Sequence, residues 1–426
     1  MPKILDQTTR DRIRYARTRF AAMAATYGLG VFNDSFYRQS AILLAISLRA
    51  TDMEGWVMAV FTLPYLLFAS YAGWLADRFS KRRVVIGAKA LEVAAMVLGA
   101  AGITLGNWAF ILTMAFVMGA QSCLFSPALN GSIPELYPAS HVLRANARLK
   151  VIVTAMILGG VTAAGWVLGL EGTGWRGIDN GRLAVAVGVI FISLLGLAVS
   201  FGVPYRPAAA PEARFPIRGP LETLSLLGSL RGDRLLAIVV TLNAFTWCAG
   251  TLLILLISSL ALQQLRLDEP MAGNLVGAEL VGVAIGGLLA GRLAHGLRWY
   301  RLLVPSGLAL SVTLLLVSAV PWLPESARLP ALFPLLALVG LSGGLLLIPC
   351  EAFIQTRPEA AVKGRVIAAA NFVAFLGILL AGPANNLLKR LVDPSIAASS
   401  GFAVLGVMDL FVMAWLWICV AKGDLE

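Results

Sequence analysis

The sequence predicts an all-α polytopic membrane protein with 12 transmembrane helices, and three observations support this fold class. Hydrophobic residues make up 58% of the 426-residue chain, and the mean hydropathy is +0.82. Charged residues make up only 13%, about half the share found in soluble domains, which is too little to cover a water-facing surface. Apolar runs at 57–76, 183–203 and 401–421 each reach the roughly 20 residues that cross about 30 Å of hydrocarbon.

Twelve spans follow when the apolar segments are separated at charged or turn-forming residues. An even number of spans places both termini on one side of the membrane. The predicted spans are residues 20–48, 55–77, 84–105, 107–129, 149–170, 182–203, 235–260, 271–291, 302–323, 330–350, 365–387 and 401–421.

The distribution of Lys and Arg gives the orientation. The termini and the alternate loops on their side hold about 25 of these residues, whereas the opposite loops hold about 7. This positive-inside pattern predicts that both termini are cytoplasmic. The net charge of +11 is thereby explained by topology, and we expect no nucleic-acid partner.

The longest loop separates spans six and seven. Its first half is rich in Pro and Ala, which is typical of a linker. In its second half Leu221, Leu224 and Leu227 recur at helical spacing, which predicts a short helix on the cytoplasmic interface. The predicted domains are an N-terminal six-helix bundle (1–203), a cytoplasmic linker (204–234) and a C-terminal six-helix bundle (235–426).

Two pairs of similar segments indicate an internal repeat. GWLADRFSKRR begins at Gly73 after the second span, and GRLAHGLRWYR begins at Gly291 after the eighth. Pro127 and Pro349 are related in the same way after the fourth and tenth spans. Both offsets are about 220 residues, and two parallel halves of six helices are a known transporter pattern. The chain resembles the Major Facilitator Superfamily over nearly its whole length.

GWLADRFSKRR is similar to that superfamily's loop motif between helices two and three, Gly-x-x-x-Asp-Arg/Lys-x-Gly-Arg-Arg/Lys. Gly73 permits close helix approach, and Asp77 can lie at a helix N-terminus or accept hydrogen bonds from an arginine. The resemblance implies a conformational latch; the alternative is a purely topogenic basic loop. In the second copy His295 replaces the aspartate, so we expect no matching latch there. The predicted latch residues are Gly73, Asp77, Arg78, Arg82 and Arg83.

The first span, GLGVFNDSFYRQSAILLAI, carries polar residues within an apolar helix. At 100° per residue Asn33 and Tyr37 share one face, and Asp34 and Arg38 share the next. A lone charge at bilayer depth costs roughly 2.5–3.5 kcal/mol, so these groups should face a bundle interior or a wet cavity. They either contact a charged ligand group or form an (i, i+4) pair that only holds the helix. We predict that Asn33, Asp34, Tyr37 and Arg38 bind substrate, together with Glu279 of span eight.

Among the remaining intramembrane charges, Lys89 and Glu92 are open to a structural pairing or to a functional role, and only Asp409 favours a structural interpretation. Lys89 and Glu92 lie three residues apart and can pair, while Asp409 lies in a span expected at the periphery. We expect no cofactor and no metal site, because the two histidines are far apart in sequence. The chain also lacks a Gly-x-Ser-x-Gly motif, an acyltransferase His-x4-Asp motif and a nucleotide loop, so we predict that it is not an enzyme.

Four phrases in order make the resemblance more specific: FNDSFYRQSA, LADRFSKRRVV, FSPALNGSIPELYP with LRANARLK, and IPCEAFIQTRP with KGRVIAAANF. Together they look like the lysophospholipid transporter branch, which includes the transporter portion of fused acyl-acyl-carrier-protein synthetase/2-acylglycerophosphoethanolamine acyltransferases. The match extends from about residue 25 to 380. Some relatives carry an Arg in span seven and an acid in span eleven, and this sequence has neither.

The resemblance implies transport of lysophospholipid, chiefly lysophosphatidylethanolamine, from the outer to the inner leaflet of the bacterial cytoplasmic (inner) membrane by alternating access. We expect the partners to be this substrate, membrane lipids and a separate acyltransferase or acyl-carrier-protein synthetase that reacylates the product in trans. We expect a monomer. The alternative is a proton-coupled exporter of amphipathic drugs or metabolites, with Asp34 or Glu279 as the proton carrier.

Overall fold

The computed structural model describes residues 7–47, 52–229, 232–267, 269–293, 296–393 and 396–421. Within these ranges it contains α-helices, short 3-10 turns and one π-helical turn, and no β-strand. The α-helices are α1 (Gln7–Ser47), α2 (Asp52–Arg78), α3 (Lys81–Leu105), α4 (Trp108–Leu136), α5 (Ala139–Leu168), α6 (Asn180–Ser200), α7 (Pro220–Ser229), α8 (Arg234–Ser259), α9 (Glu269–Leu293), α10 (Leu303–Ala319), α11 (Glu325–Thr356), α12 (Lys363–Leu391) and α13 (Ala397–Ala421).

Each of the 12 predicted spans coincides with one long helix, and α7 is the short additional helix. Ten of the long helices, α3 to α6 and α8 to α13, are long and apolar enough to cross a membrane over the described residues. Helix α1 begins at Gln7, well before the predicted span at residue 20, so its polar basic segment continues the same helix.

Local sequence signals explain where the helices end. Helix α3 ends because Gly106 adopts a left-handed conformation, with φ of 63°, which glycine reaches without steric cost. Asn107 then caps α4, since its side chain accepts hydrogen bonds from the N–H groups of Ala109 and Phe110 at 3.0 and 3.3 Å. The result is a tight antiparallel connection between α3 and α4.

The linker after α6 is attached to the end of α2. The backbone N–H of Ala210 donates to the carbonyl of Asp77 at 2.8 Å. The Trp74 indole donates to the carbonyl of Ala213 at 3.0 Å, and its ring packs edge-on against Phe215 at 5.1 Å. The Pro- and Ala-rich segment is therefore ordered against α2 and does not run free.

Helix α7 confirms the helix predicted from the leucine spacing. Leu221 and Leu224 are 63% and 51% exposed, so an apolar face of α7 is uncovered by the described protein. The location of this face on the membrane interface remains a prediction.

The chain divides into two compact units whose limits cross helices α5 and α12. Unit 1 comprises residues 1–139, 152–228 and 358–372, and unit 2 comprises residues 140–151, 229–357 and 373–426. The predicted division into bundles at 204–234 remains a prediction.

In unit 1, α4 packs against both α2 and α3, and α6 packs against α1 and α3. Small residues permit the closest approaches. A Cβ atom placed on Gly119 of α4 would overlap the carbonyl oxygen of Phe61 on α2, and one on Gly160 of α5 would lie 2.6 Å from the carbonyl oxygen of Phe32 on α1. Only glycine allows backbones to come this close.

In unit 2, α9 and α11 pack most extensively against each other, and α10 packs on α11 and α13. Gly282 and Gly286 of α9 face Ala337 and Leu341 of α11 without room for a Cβ atom. Gly340 of α11 faces the backbone of α9 in the same way. The helices therefore contact each other through their backbones along several turns.

Candidate functional site

The carboxylate of Asp34 is incompletely satisfied within unit 1. Its Oδ2 atom accepts a hydrogen bond from the Ser122 hydroxyl at 3.4 Å, while its buried Oδ1 atom has no hydrogen-bond partner. Arg38 follows one turn later and interacts electrostatically with it. Among the described residues no direct ion pair joins Asp34 to Arg38, so the pair does not neutralise itself by close contact.

Asn33 and Tyr37 lie on the packed side of α1. The Asn33 amide donates to Glu92 Oε1 at 3.4 Å and to the Val189 carbonyl at 3.2 Å. The Tyr37 hydroxyl donates to the Gly99 carbonyl at 3.1 Å. Both side chains are at most 2% exposed. They connect α1 to α3 and α6, and their role in substrate binding remains a prediction.

Lys89 and Glu92 form a buried ion pair in α3. Gln121 of α4 donates to Glu92 Oε2 at 3.2 Å, and the Lys89 ammonium lies 5.6 Å from the centre of the Phe125 ring. Together with Asn33, these residues stabilise the charges of Lys89 and Glu92. A buried pair needs such additional hydrogen bonds to offset its desolvation.

Glu279 of α9 is a buried carboxylate in unit 2. It is 5% exposed, and its Oε2 atom has no hydrogen-bond partner. Lys150 interacts electrostatically with both Glu279 and Glu351. The Lys150 ammonium lies 4.9 Å from the centre of the Trp247 ring, which is a cation–π distance.

The carboxylate of Asp77 caps helix α12 within unit 1. Its two oxygens accept the backbone N–H groups of Gly364 and Arg365 at 2.7 and 3.0 Å. The Arg365 guanidinium lies 3.7 Å from the same carboxylate. Asp77 thus makes both contacts expected from its motif, because a helix N-terminus and an arginine each stabilise a negative charge.

Gly73 makes that contact sterically feasible. A Cβ atom at Gly73 would lie 2.6 Å from Cα of Arg365 and 3.0 Å from Cβ of Ala368. Helices α2 and α12 therefore meet where neither can accept a larger residue without moving.

The basic residues of the motif bind elsewhere. Arg78 donates to the Ala213 carbonyl at 3.4 Å, and Arg82 donates to the Phe201 carbonyl at 2.9 Å. Arg83 is exposed. These contacts fix the linker and the end of α6 to the same corner of unit 1.

The second copy of the motif packs in unit 2. A Cβ atom at Gly291 would lie 3.2 Å from Cβ of Ala147 and 3.4 Å from Cα of Arg144. Nε of Arg144 donates to the Gly291 carbonyl at 3.2 Å. His295 lies outside the described residues.

A family model for the Major Facilitator Superfamily matches residues 20–382. The chain belongs to the Major Facilitator Superfamily. This membership and the helix content confirm the predicted all-α fold of a multi-pass membrane protein.

Among curated proteins, this superfamily member is similar to three bacterial proteins named lysophospholipid transporter LplT. The Salmonella arizonae protein is 27% identical over 394 residues, covering 90% of this chain and 92% of the relative. The Enterobacter sp. protein is 27% identical over 408 residues, covering 93% and 95%. An Escherichia coli protein is 28% identical over 395 residues, covering 90% and 93%.

Solved structures of the superfamily share the fold. The proton:xylose symporter XylE aligns with a TM-score of 0.73 at 15% identity, covering 95% of this chain and 96% of that structure. The Escherichia coli fucose:proton symporter FucP aligns with a TM-score of 0.69 at 14% identity, covering 93% and 99%. At such identities the likeness concerns architecture and not substrate.

Two hydrogen bonds between polar phrases of the sequence were not predicted. Asn146 donates to Gln355 at 2.9 Å in unit 2, and Asn371 donates to Ser126 at 2.8 Å in unit 1. Each bond joins two of the phrases that carry the resemblance. The polar phrases that carry the resemblance were a usable signal, but the sequence did not indicate which phrase contacts which.

Lys81, Lys150 and Glu351 were not among the predicted site residues. Lys81 forms an ion pair with Glu135 of the Pro-Glu-Leu phrase. Lys150 and Glu351 lie at the ends of predicted spans, where charges are usually assigned to topology. Over the described residues no group of three or more His, Cys, Asp and Glu residues could hold a metal ion.

Proposed function

We propose that this protein moves lysophospholipid, chiefly lysophosphatidylethanolamine, from the outer to the inner leaflet of a bacterial cytoplasmic membrane by alternating access. The curated relatives named lysophospholipid transporter support this substrate, since they align over 90% or more of the chain. The proposed site rests on one observation: the buried Oδ1 atom of Asp34 has no hydrogen-bond partner. Arg38, one helical turn later, supplies the second charge of the site.

The two charges match the head group of the proposed substrate. Lysophosphatidylethanolamine carries an ammonium and a phosphate, so Asp34 would accept from the ammonium and Arg38 would donate to the phosphate. Arginine binds phosphate in a bidentate geometry and stays charged at all physiological pH values. Their lack of direct pairing supports the proposal, because each charge keeps capacity for a ligand.

Asn33 and Tyr37 would act by holding α1 in place. Their hydrogen bonds to α3 and α6 fix the rotation of α1 and hence the direction of the neighbouring face. A site supported by locked neighbouring side chains holds its geometry better than one on a free helix. We propose a positioning role for both residues beside the binding role of Asp34 and Arg38.

Glu279 is the proposed substrate contact in unit 2. Its Oε2 atom has no partner, and Lys150 supplies a nearby positive charge. A buried carboxylate oxygen without a partner is costly in a protein interior. Binding a head-group ammonium would remove that cost.

Gly73, Asp77, Arg78, Arg82 and Arg83 would form the conformational latch. Asp77 supports this role because its bonds to Gly364 and Arg365 join the motif to a segment from the second half of the sequence. In the proposed orientation this latch and both termini are cytoplasmic. The transporter would work as a monomer without a cofactor, and a separate acyltransferase would consume its product.

The test of the substrate site is Asp34→Asn in proteoliposomes that contain the full-length protein and radiolabelled lysophosphatidylethanolamine. Loss of one charged hydrogen bond of about 1.5–3 kcal/mol predicts a KM increase of about tenfold to a hundredfold. The matched control is Asp409→Asn, because Asp409 is also buried and also has one carboxylate oxygen without a partner. Normal transport by Asp34→Asn, or an equal loss in both variants, would contradict the proposed site.

An uncoupler separates the proposed function from proton-coupled export of amphipathic compounds. Lysophospholipid transport that is driven by consumption of the product should continue when the proton gradient is collapsed. Transport that stops under these conditions would favour the exporter.

A further inference from the structure

Unit 2 contains a basic cavity outside the proposed substrate and latch residues. It has a volume of about 310 Å³ and lies between the first turns of α5 and the last turns of α9. Three of the six lining residues are arginines. The lining residues are Arg144, Ala147, Arg148, Leu288, Gly291 and Arg292.

The arginines are arranged so that their charges converge on one space. Arg144 and Arg148 are four residues apart and therefore lie on the same side of α5. Arg292 approaches from the end of α9. None of the described residues that line the cavity is acidic, so their arginines make it positive at every physiological pH.

Arg144 is fixed in orientation. Its Nε atom donates to the Gly291 carbonyl at 3.2 Å, while Gly291 packs closely on the α5 backbone. This bond uses one of the guanidinium donors and holds the side chain against the end of α9. Arg148 and Arg292 are exposed and can adjust to a ligand.

The composition of the lining indicates the ligand class. Guanidinium groups bind phosphate oxygens in bidentate geometry, and a cavity of this size holds a head group but not a whole lipid. Ala147 and Leu288 add an apolar wall, and α5 and α9 are both membrane-spanning candidates. Basic pockets between transmembrane helices at the cytoplasmic side are suited to anionic lipid head groups.

We infer that this cavity is a binding site for the phosphate of an anionic phospholipid, with Arg148 and Arg292 as the ligating residues and Arg144 as a fixed positive charge beside them. Orientation of the protein in the membrane explains basic residues near helix ends, but it does not require three of them to line one cavity. The site does not depend on which substrate the protein transports. The same guanidinium groups could take a soluble phosphate ester, and the experiment distinguishes the two sources.

The test measures lipid binding directly by native mass spectrometry of the full-length protein in detergent. The probe is phosphatidylglycerol, and phosphatidylethanolamine with the same acyl chains is the comparison. We expect wild-type protein to prefer phosphatidylglycerol, and Arg148→Gln/Arg292→Gln to bind it about tenfold more weakly. Arg144 is left intact because its bond to Gly291 supports the local fold.

The control is Arg301→Gln, which removes one exposed cation of unit 2 that does not line the cavity. It should retain the binding of the wild type, and all variants should keep the wild-type thermal midpoint. Unchanged binding by the double variant, or an equal loss in the control, would overturn the site.

Two further measurements identify the source of the phosphate. Glycerol 3-phosphate is added as a competitor; failure to displace phosphatidylglycerol supports the lipid, and efficient displacement overturns the lipid assignment. Displacement of phosphatidylglycerol by glycerol 3-phosphate is also compared at pH 5.5 and 7.5. A lipid phosphodiester keeps one charge across this range, whereas a phosphate monoester gains charge near pH 6. Displacement that becomes more efficient at pH 7.5 would likewise overturn the lipid assignment.

Discussion

Gly73→Ala tests whether close contact between α2 and α12 is needed for the cap on α12. The new Cβ atom would lie 2.6 Å from Cα of Arg365, whereas two carbon atoms prefer about 3.5–4.0 Å. The obstacle is backbone and cannot rotate away. The helices must therefore separate locally by about 1 Å.

That separation acts on the hydrogen bonds of Asp77. The bond to Gly364 is 2.7 Å and the bond to Arg365 is 3.0 Å, so a shift of about 1 Å carries both beyond the usual range of about 3.2 Å. Overpacking costs about 1–3 kcal/mol, and each charge-assisted bond contributes about 1.5–3 kcal/mol. We expect Gly73→Ala to lower the free energy of unfolding by at least about 2 kcal/mol.

The assay is equilibrium unfolding of the purified protein in mixed micelles, with transport measured on the same preparation. The matched control is Gly87→Ala in α3, where a Cβ atom meets nothing within 4 Å. Alanine is the better helix former by about 0.8–1.0 kcal/mol, so this control should be as stable as the wild type or slightly more stable.

A double-mutant cycle with Asp77→Asn identifies the cause. If Gly73→Ala acts by breaking the Asp77 cap, the two effects should be less than additive by more than about 0.5 kcal/mol. Equal stability of Gly73→Ala and Gly87→Ala would refute the steric reasoning. Full additivity with Asp77→Asn would show that the glycine and the cap act separately.

Two more predictions concern the interiors of the units. Lys89→Met leaves Glu92 buried without its ion-pair partner and should lower the free energy of unfolding by about 3–5 kcal/mol. The double variant Lys89→Met/Glu92→Gln should recover most of this loss because neither side chain is then charged. A free energy of unfolding of Lys89→Met within about 1 kcal/mol of the wild type would contradict this prediction. Gly340→Ala places a Cβ atom against the Glu279 carbonyl oxygen, whereas Gly343→Ala meets nothing within 4 Å. Size-exclusion profiles of solubilised protein should therefore show loss of the folded peak only for Gly340→Ala, and equal profiles would exclude a backbone contact at this position.

The helices were predictable because hydrocarbon imposes a length and a composition on each span. All 12 predicted spans coincide with long helices, and the leucine spacing located α7. The contacts of Asp77 with a helix N-terminus and an arginine were also predictable in kind, since a carboxylate in this motif has few ways to be stabilised. The sequence did not identify Gly364 and Arg365 as its partners, because they lie almost 300 residues further along the chain.

The rotation of α1 shows what the sequence left open. Helical periodicity placed Asn33 with Tyr37 on one face and Asp34 with Arg38 on another, but it did not reveal that α3 and α6 cover the first face. That outcome depends on Glu92 and the Val189 carbonyl, which satisfy Asn33. Similarly, the sequence did not indicate that the Lys150 ammonium lies over the Trp247 ring. That contact depends on how α5 packs in unit 2.

The composition of unit 1 has a consequence for biosynthesis. Residues 358–372 belong to this unit, and the bond between Asp77 and Gly364 joins residues 287 positions apart. At about 5–20 residues per second, a ribosome needs tens of seconds to reach the second partner after the first has been made. During that interval the Asp77 carboxylate at the end of α2 lacks its partners on α12, and unit 1 is completed only after residue 372 has been made.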